Sequence, residues 1–166
     1  MFELKHLTPA GIPAALDKAE QYRLLNQPWA AESICWDIAA VDSNNQRALR
    51  VKLLAQTDQF AGDMGAVRRA RESLSRLTDG YEKAYYAGLI CERLAKVAIE
   101  HRAPGSRFNA YDEFREAMEW YERAEVIRPA GDDDAILRWN TCARLLNQSP
   151  QIAPRGEELH EPVLGE

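Results

Sequence analysis

Apolar positions recur with a helical period along most of the chain, and polar breaks cut that rhythm into seven segments. Residues 13–26 place Ala15, Ala19, Tyr22 and Leu25 at i, i+4, i+7 and i+10, one face of a helix. Asn26-Gln27-Pro28 interrupts it. Pro28 suits the first turn of a second helix over 28–41, striped by Ala31, Ile34, Cys35, Ile38 and Val41. Asp42-Ser43-Asn44-Asn45 reads as a turn, because such side chains bond or mimic nearby backbone groups. A helix over 46–60 points Leu49, Leu53 and Leu54 inward. After the break Ala61-Gly62-Asp63, a partner over 65–78 carries Ala66, Ala70, Leu74 and Leu77 at helical spacing. Thr78-Asp79-Gly80 turns the chain into a longer helix over 80–101, which Ala103-Pro104-Gly105-Ser106 ends. Helices over 109–128 and 132–147 follow, separated by Pro129-Ala130-Gly131. No segment reads as a strand, so the pattern predicts an all-α chain. Residues 1–11 form a lead and 12–148 the helical domain. Residues 149–166, with Pro150, Pro154, Gly156, Pro162 and Gly165, are expected to be a disordered tail.

The helices pair with a period of about 35 residues, as 12–45, 46–80 and 81–131, before one closing helix. Small and large residues fall at matching places within the pairs. Ala117, Tyr121, Ala124 and Pro129 form one series. Ala31, Cys35, Ile38 and Ser43 form a second, and Ala66, Ala70, Ser73 and Thr78 a third after a one-residue insertion. The first helices contribute Ala19 with Tyr22, and Ala87-Gly88 with Cys91. A small residue lets two helices approach to about 8–10 Å, while a large neighbour fills the space beside it. This arrangement resembles the tetratricopeptide repeat family, whose unit of about 34 residues is a pair of antiparallel helices. The resemblance covers 12–147 and is loosest in the second unit. About 17 extra residues near 98–110 either lengthen both helices of the third unit or form a protruding loop.

The resemblance implies a right-handed superhelical array of three helix pairs plus the closing helix. Its concave face, made mainly by the first helix of each pair, suits an extended peptide or a partner helix. In that register the groove residues are Leu16, Glu20 and Arg23, then Arg47, Arg50 and Leu54. Tyr85, Leu89 and Arg93 follow, with Asn140 and Arg144 from the closing helix. The family's carboxylate clamp of Lys and Asn is incomplete here, so binding of chaperone tails is not implied.

Composition narrows the function classes. Hydrophobic residues make up 46%, enough for a packed core. No run approaches the roughly 20 apolar residues of a membrane span, and the start lacks the charged and apolar regions of a signal peptide. A cytoplasmic location without membrane contact is therefore expected, and 16 Arg against 5 Lys hints at a bacterial source. Cys35, Cys91 and Cys142 are odd in number and far apart, which predicts three small buried hydrophobes. Metal spacings, phosphate-cradling glycine loops and nucleophile elbows are missing, so no enzyme, cofactor or metal is expected. Asp132-Asp133-Asp134 lacks the ligand alternation of a calcium loop and reads instead as a helix start. Trp36, Trp120 and Trp139 are expected in packed positions, whereas Trp29 is a candidate exposed anchor.

The net charge of −5 hides two opposite patches. Residues 46–78 carry seven basic side chains (Arg47, Arg50, Lys52, Arg68, Arg69, Arg71, Arg76) against three acidic ones. Residues 112–134 carry three basic against nine acidic. Arginine suits forked contacts with carboxylates, so an acidic peptide or chain terminus is the expected partner of Arg47 and Arg50. The leading expectation is a non-catalytic protein–protein interaction module, a scaffold or adaptor. A secretion-type chaperone, a nucleic-acid-binding repeat using the 46–78 patch, and a self-assembling subunit are the alternatives.

Overall fold

A 3-10 turn at Pro9–Gly11 leads into seven helices: α1 (Ile12–Leu24), α2 (Pro28–Val41), α3 (Gln46–Thr57), α4 (Gly65–Ser75), α5 (Gly80–His101), α6 (Ser106–Val126) and α7 (Asp134–Gln148). The structure, a computed structural model, describes residues 1–156. All seven expected helices are present, and the described residues contain no strand. None of these helices is long and apolar enough to cross a membrane.

Local chemistry sets several of the helix starts. Asn45 Oδ1 accepts from the Ala48 N–H at 2.9 Å to cap α3, and Asp79 Oδ1 accepts from the Glu82 N–H at 2.8 Å to cap α5. A proline occupies the first turn of both α1 and α2. At α7 the acidic run does what a helix start requires. Asp132 Oδ1 accepts from the Asp134 N–H at 3.0 Å and from the Tyr81 hydroxyl at 2.9 Å, which ties α7 to α5.

Each helix packs on its neighbour in sequence, and α1 also packs on α3. The buried side chains form successive clusters along the chain. Leu16, Ala19, Cys35, Ile38, Ala48 and Val51 fill the space among α1, α2 and α3. Leu49, Leu53 and Leu77 lie between α3 and the end of α4, while Phe60, Ala66, Ala70, Ile90 and Val97 join α4 to α5. The last cluster, with Phe114, Met118, Tyr121 and Cys142, holds α5, α6 and α7 together.

The small residues of the repeat pattern mark the closest helix approaches. Ala19, Ala31, Ala66, Ala70, Ala117 and Ala124 are fully buried. Gly88 is the tightest case. A Cβ there would stand 2.7 Å from Tyr121 Cε1 and 3.1 Å from the Ala117 carbonyl oxygen, so α5 meets α6 on a position that admits no side chain. The extra residues near 98–110 lengthen both helices of the third pair, to 22 residues in α5 and 21 in α6. The turn between them uses left-handed backbone at Arg102 (φ 47°) and Gly105 (φ 78°).

Some expected positions differ. α1 ends at Leu24, so Leu25 falls beyond the helix and is 59% exposed, and Leu16 takes an inward place instead. Trp36 is not packed inside: it is 51% exposed, with Lys52 Nζ 3.2 Å from its ring centroid. Trp120 and Trp139 do pack against the α5–α6–α7 cluster, and Trp29 stands exposed. Packing also reaches past residue 148. Ile152 is buried, with its N–H bonded to the Ser149 carbonyl. Residues 157–166 of the expected tail lie outside the described residues.

Candidate peptide groove

The three first helices, α1, α3 and α5, line two cavities that share Arg23 and Leu24. The first, about 360 Å³, is walled by Glu20 and Arg23 of α1, by Arg47, Arg50, Val51 and Leu54 of α3, and by Tyr86 of α5. The second, about 470 Å³, continues past Asp58 to Arg93, Lys96 and Glu100 on α5. Six of the eleven expected groove residues therefore line one surface: Glu20, Arg23, Arg47, Arg50, Leu54 and Arg93.

The other five lie elsewhere. Leu16 and Leu89 are buried, which removes them from any binding face. Tyr85 turns toward α6 and α7, where its ring meets Tyr121 and its hydroxyl accepts from Arg138 Nε at 3.4 Å. Its neighbour Tyr86 takes the groove position. Asn140 and Arg144 on α7 line neither cavity.

The electrostatics differ from the expectation. Arg47 is already held by Glu20, with Nε 3.0 Å from Oε1, and by Asp17 at 2.9 Å. The hydrogen bonds it donates to these two carboxylates hold its guanidinium even more firmly protonated than usual. Arg50 donates to Glu82 at 3.0 Å. Both arginines thus spend their charge on carboxylates that lie far away in sequence. The surplus sits further along. Asp58 is one carboxylate between two guanidiniums, with Oδ2 2.7 Å from Arg23 Nε and Oδ1 3.6 Å from an Arg93 terminal nitrogen. The Arg23 contact is ionic rather than a well-directed hydrogen bond. The Nε atoms of Arg23 and Arg93 are both buried without a hydrogen-bond acceptor. A second anion entering the groove would balance this pair.

Four of the seven basic residues over 46–78 (Arg47, Arg50, Arg68 and Arg69) are neutralised in this way. Arg68 pairs with Glu72 at 2.8 Å. Arg69 bridges Glu32 and Asp63 at 2.9 and 3.0 Å. Lys52 is 5% exposed, and burial lowers its affinity for a proton.

Two buried carboxylates escaped the sequence reading. Glu32 on α2 accepts from Gln56 and Gln59 at 2.9 and 2.7 Å and from Arg69, tying α2 to α3 and α4. Glu92 on α5 accepts from Lys96 at 2.5 Å, from the Tyr121 hydroxyl at 2.7 Å and from Arg138 at 3.3 Å, tying α5 to α6 and α7. The visible signal was a glutamate set inside an apolar run, as in Ala87-Gly88-Leu89-Ile90-Cys91-Glu92. Burial opposes ionisation of both, but hydrogen bonds from Arg69, Gln56 and Gln59 at Glu32, and from Lys96 and Tyr121 at Glu92, outweigh it. Both carboxyls stay below their ordinary value of 4.5. Because the folded value is depressed, their contribution to stability is complete above pH 4.5 and is lost as pH falls toward the folded values. Thermal melts between pH 7 and pH 3 are expected to show the midpoint falling below about pH 4.5, with a shallower fall in Glu92→Gln.

Burial pushes the thiols of Cys35, Cys91 and Cys142 up to about 12, which keeps them as inert thiols at neutral pH. Among the described residues, Cys91, Glu113 and Glu116 group their ligand atoms within 4.8 Å. Burial and the neighbouring Glu116 raise the Glu113 carboxyl, and burial raises the Cys91 thiol. Comparison with protein families, with characterised proteins and with solved structures finds no match for this chain.

Proposed function

We propose that this chain is a non-catalytic binding module, built as a tetratricopeptide-like array, that takes an acidic peptide across α1, α3 and α5. The two guanidiniums that share the single carboxylate of Asp58 carry the reading, because Arg23 lines both cavities and Arg93 lines the second. Sequential packing, the α1–α3 contact and the buried small residues support the array. A peptide lying along the groove would set an acidic side chain or its terminal carboxylate against Arg23 and Arg93, with an apolar side chain toward Leu54 and Tyr86. Arginine makes such contacts bidentate and keeps its charge at any working pH. Three unpaired, buried cysteines fit a reducing compartment such as the cytoplasm.

The nucleic-acid alternative loses support, since Arg47, Arg50, Arg68 and Arg69 are all paired with carboxylates within the chain. Selection of a random displayed peptide library on the full chain tests the proposal. Enriched peptides are expected to carry an acidic residue and to lose about tenfold in affinity on the variant Arg23→Gln/Arg93→Gln. Enrichment without acidic residues, or equal affinity for the variant, would overturn it.

A further inference from the structure

The second cavity of the groove, about 470 Å³, holds an imbalance of charge that the chain itself can answer. Lys96 is taken by Glu92, which leaves Arg23 and Arg93 sharing the carboxylate of Asp58. Glu100, the other acidic side chain lining this cavity, lies about two turns beyond Arg93 along α5. Beside the guanidiniums stand the apolar side chains of Ala61, Val97 and Leu24, the last of them 83% exposed. A fitting occupant therefore carries a carboxylate next to aliphatic groups.

Residues 157–166, Glu-Glu-Leu-His-Glu-Pro-Val-Leu-Gly-Glu, have this chemistry. They hold four of the chain's 26 acidic residues and none of its 21 basic ones, so most of the net charge of −5 belongs to them. Val163 and Leu164 lie between Glu161 and Glu166. The described chain also stops within reach of the cavity. Ile152 is buried beside Ile99 and Arg102 at the end of α5, and the Arg155 guanidinium stands 5.7 Å from the Phe108 ring centroid. From Ile99 back to Arg93 is about 9 Å along the same helix, which is about 10–12 Å wide. Ten extended residues span about 33 Å, enough to pass around α5 and arrive at Arg93.

We propose that residues 157–166 fold back around the end of α5 and occupy this cavity in the same molecule. A glutamate of the segment meets Arg23 and Arg93, and Val163 with Leu164 lies against Leu24 and Val97. This occupancy rests on the reading of α1, α3 and α5 as an acidic-peptide groove, and it makes the segment a tethered competitor of any external peptide. A short tether gives an effective concentration in the millimolar range, so even a weak contact is well populated. Arginine suits the contact, because its guanidinium grips a carboxylate in a fork.

A nitroxide attached to the full chain through Gly165→Cys tests it, since Cys35, Cys91 and Cys142 are buried and escape labelling. Amide signals near Arg23, Asp58 and Arg93 are expected to broaden within one molecule, and to recover in Arg23→Gln/Arg93→Gln. Broadening confined to residues 102–108 would place the segment on the nearer Arg102 and Arg107 and overturn the proposal. Broadening seen only between labelled and unlabelled copies, or none at all, would overturn it too. A second measurement separates this proposal from the groove reading. The full-chain variant Glu157→Gln/Glu158→Gln/Glu161→Gln/Glu166→Gln is expected to bind a library-enriched acidic peptide about tenfold more tightly than the parent. Equal affinity for the two proteins would overturn the tethered competitor and leave the groove standing. Failure of any peptide to bind either protein would overturn the groove reading, and this proposal with it.

Discussion

Replacing Glu92 with leucine is expected to cost about 3–5 kcal/mol, the largest loss of any single substitution considered. The carboxylate is 1% exposed and answers three groups: the Lys96 ammonium, the Arg138 guanidinium and the Tyr121 hydroxyl. Each belongs to a different helix, α5, α7 and α6 respectively. Leucine fills a similar volume but leaves two cations beside an apolar site and a buried phenol without its acceptor. Lys96 is partly exposed and can turn to water, whereas the Tyr121 hydroxyl is fully enclosed. In a protein of this size such a loss lowers Tm by about 10 °C or more. Glu92→Gln keeps an acceptor for Tyr121 and is expected to cost less, about 1–2 kcal/mol. Thermal unfolding followed by circular dichroism measures both. A Glu92→Leu variant as stable as the parent would mean that the carboxylate joins nothing.

Gly88→Val is expected to destabilise by about 3 kcal/mol, and here two effects oppose each other. Any side chain at a mid-helix glycine gains backbone entropy, worth up to about 1 kcal/mol for alanine and less for valine. Against this stands the overlap with Tyr121, whose ring a Cβ would meet at 2.7–2.8 Å. That ring is not a flexible neighbour. It is fully buried, and its hydroxyl is held by Glu92 at 2.7 Å. Overlap wins, so even Gly88→Ala is expected to lose stability. The two sites are also expected to couple: in a Tyr121→Leu background the cost of Gly88→Ala should shrink or reverse sign. Urea unfolding of the four proteins of this cycle gives the coupling directly. Additive costs would show that α5 and α6 do not close on this contact.

These two residues also show what the sequence could reveal. Gly88 was readable, since the small pair Ala87-Gly88 in one helix and the Ala117 and Tyr121 series in the next imply a close approach. The helices themselves were readable because their signals are local. Apolar spacing of three and four residues, prolines in first turns, and Asn45 and Asp79 as caps all act within a few positions. Leu25 was misplaced because the end of α1 depends on a left-handed residue, Asn26 (φ 57°), and not on apolar spacing. Trp36 lies off the stripe of Ala31, Cys35 and Ile38, and its exposure follows from that offset once the stripe is taken strictly.

The electrostatics were much less legible. Arg47 and Arg50 looked free because Glu20 and Glu82 lie 27 and 32 residues away. Arg23 and Arg93 looked ordinary for the same reason, since only the fold brings both to Asp58. Charge patches counted along a chain therefore misstate what a partner meets. Four of the seven basic residues of the middle patch are spent on internal pairs, and at the groove junction Arg23 and Arg93 share one carboxylate.

On the proposed reading a peptide lies across α1, α3 and α5. Amide chemical-shift mapping of an enriched acidic peptide on the full chain tests it most directly. Saturable shifts are expected to concentrate at residues 20–26, 47–58 and 86–100, and to be lost in Arg23→Gln/Arg93→Gln. Shifts confined to α7, to the outer face of α2 around Trp29 and Trp36, or to any surface outside those three helices would contradict it.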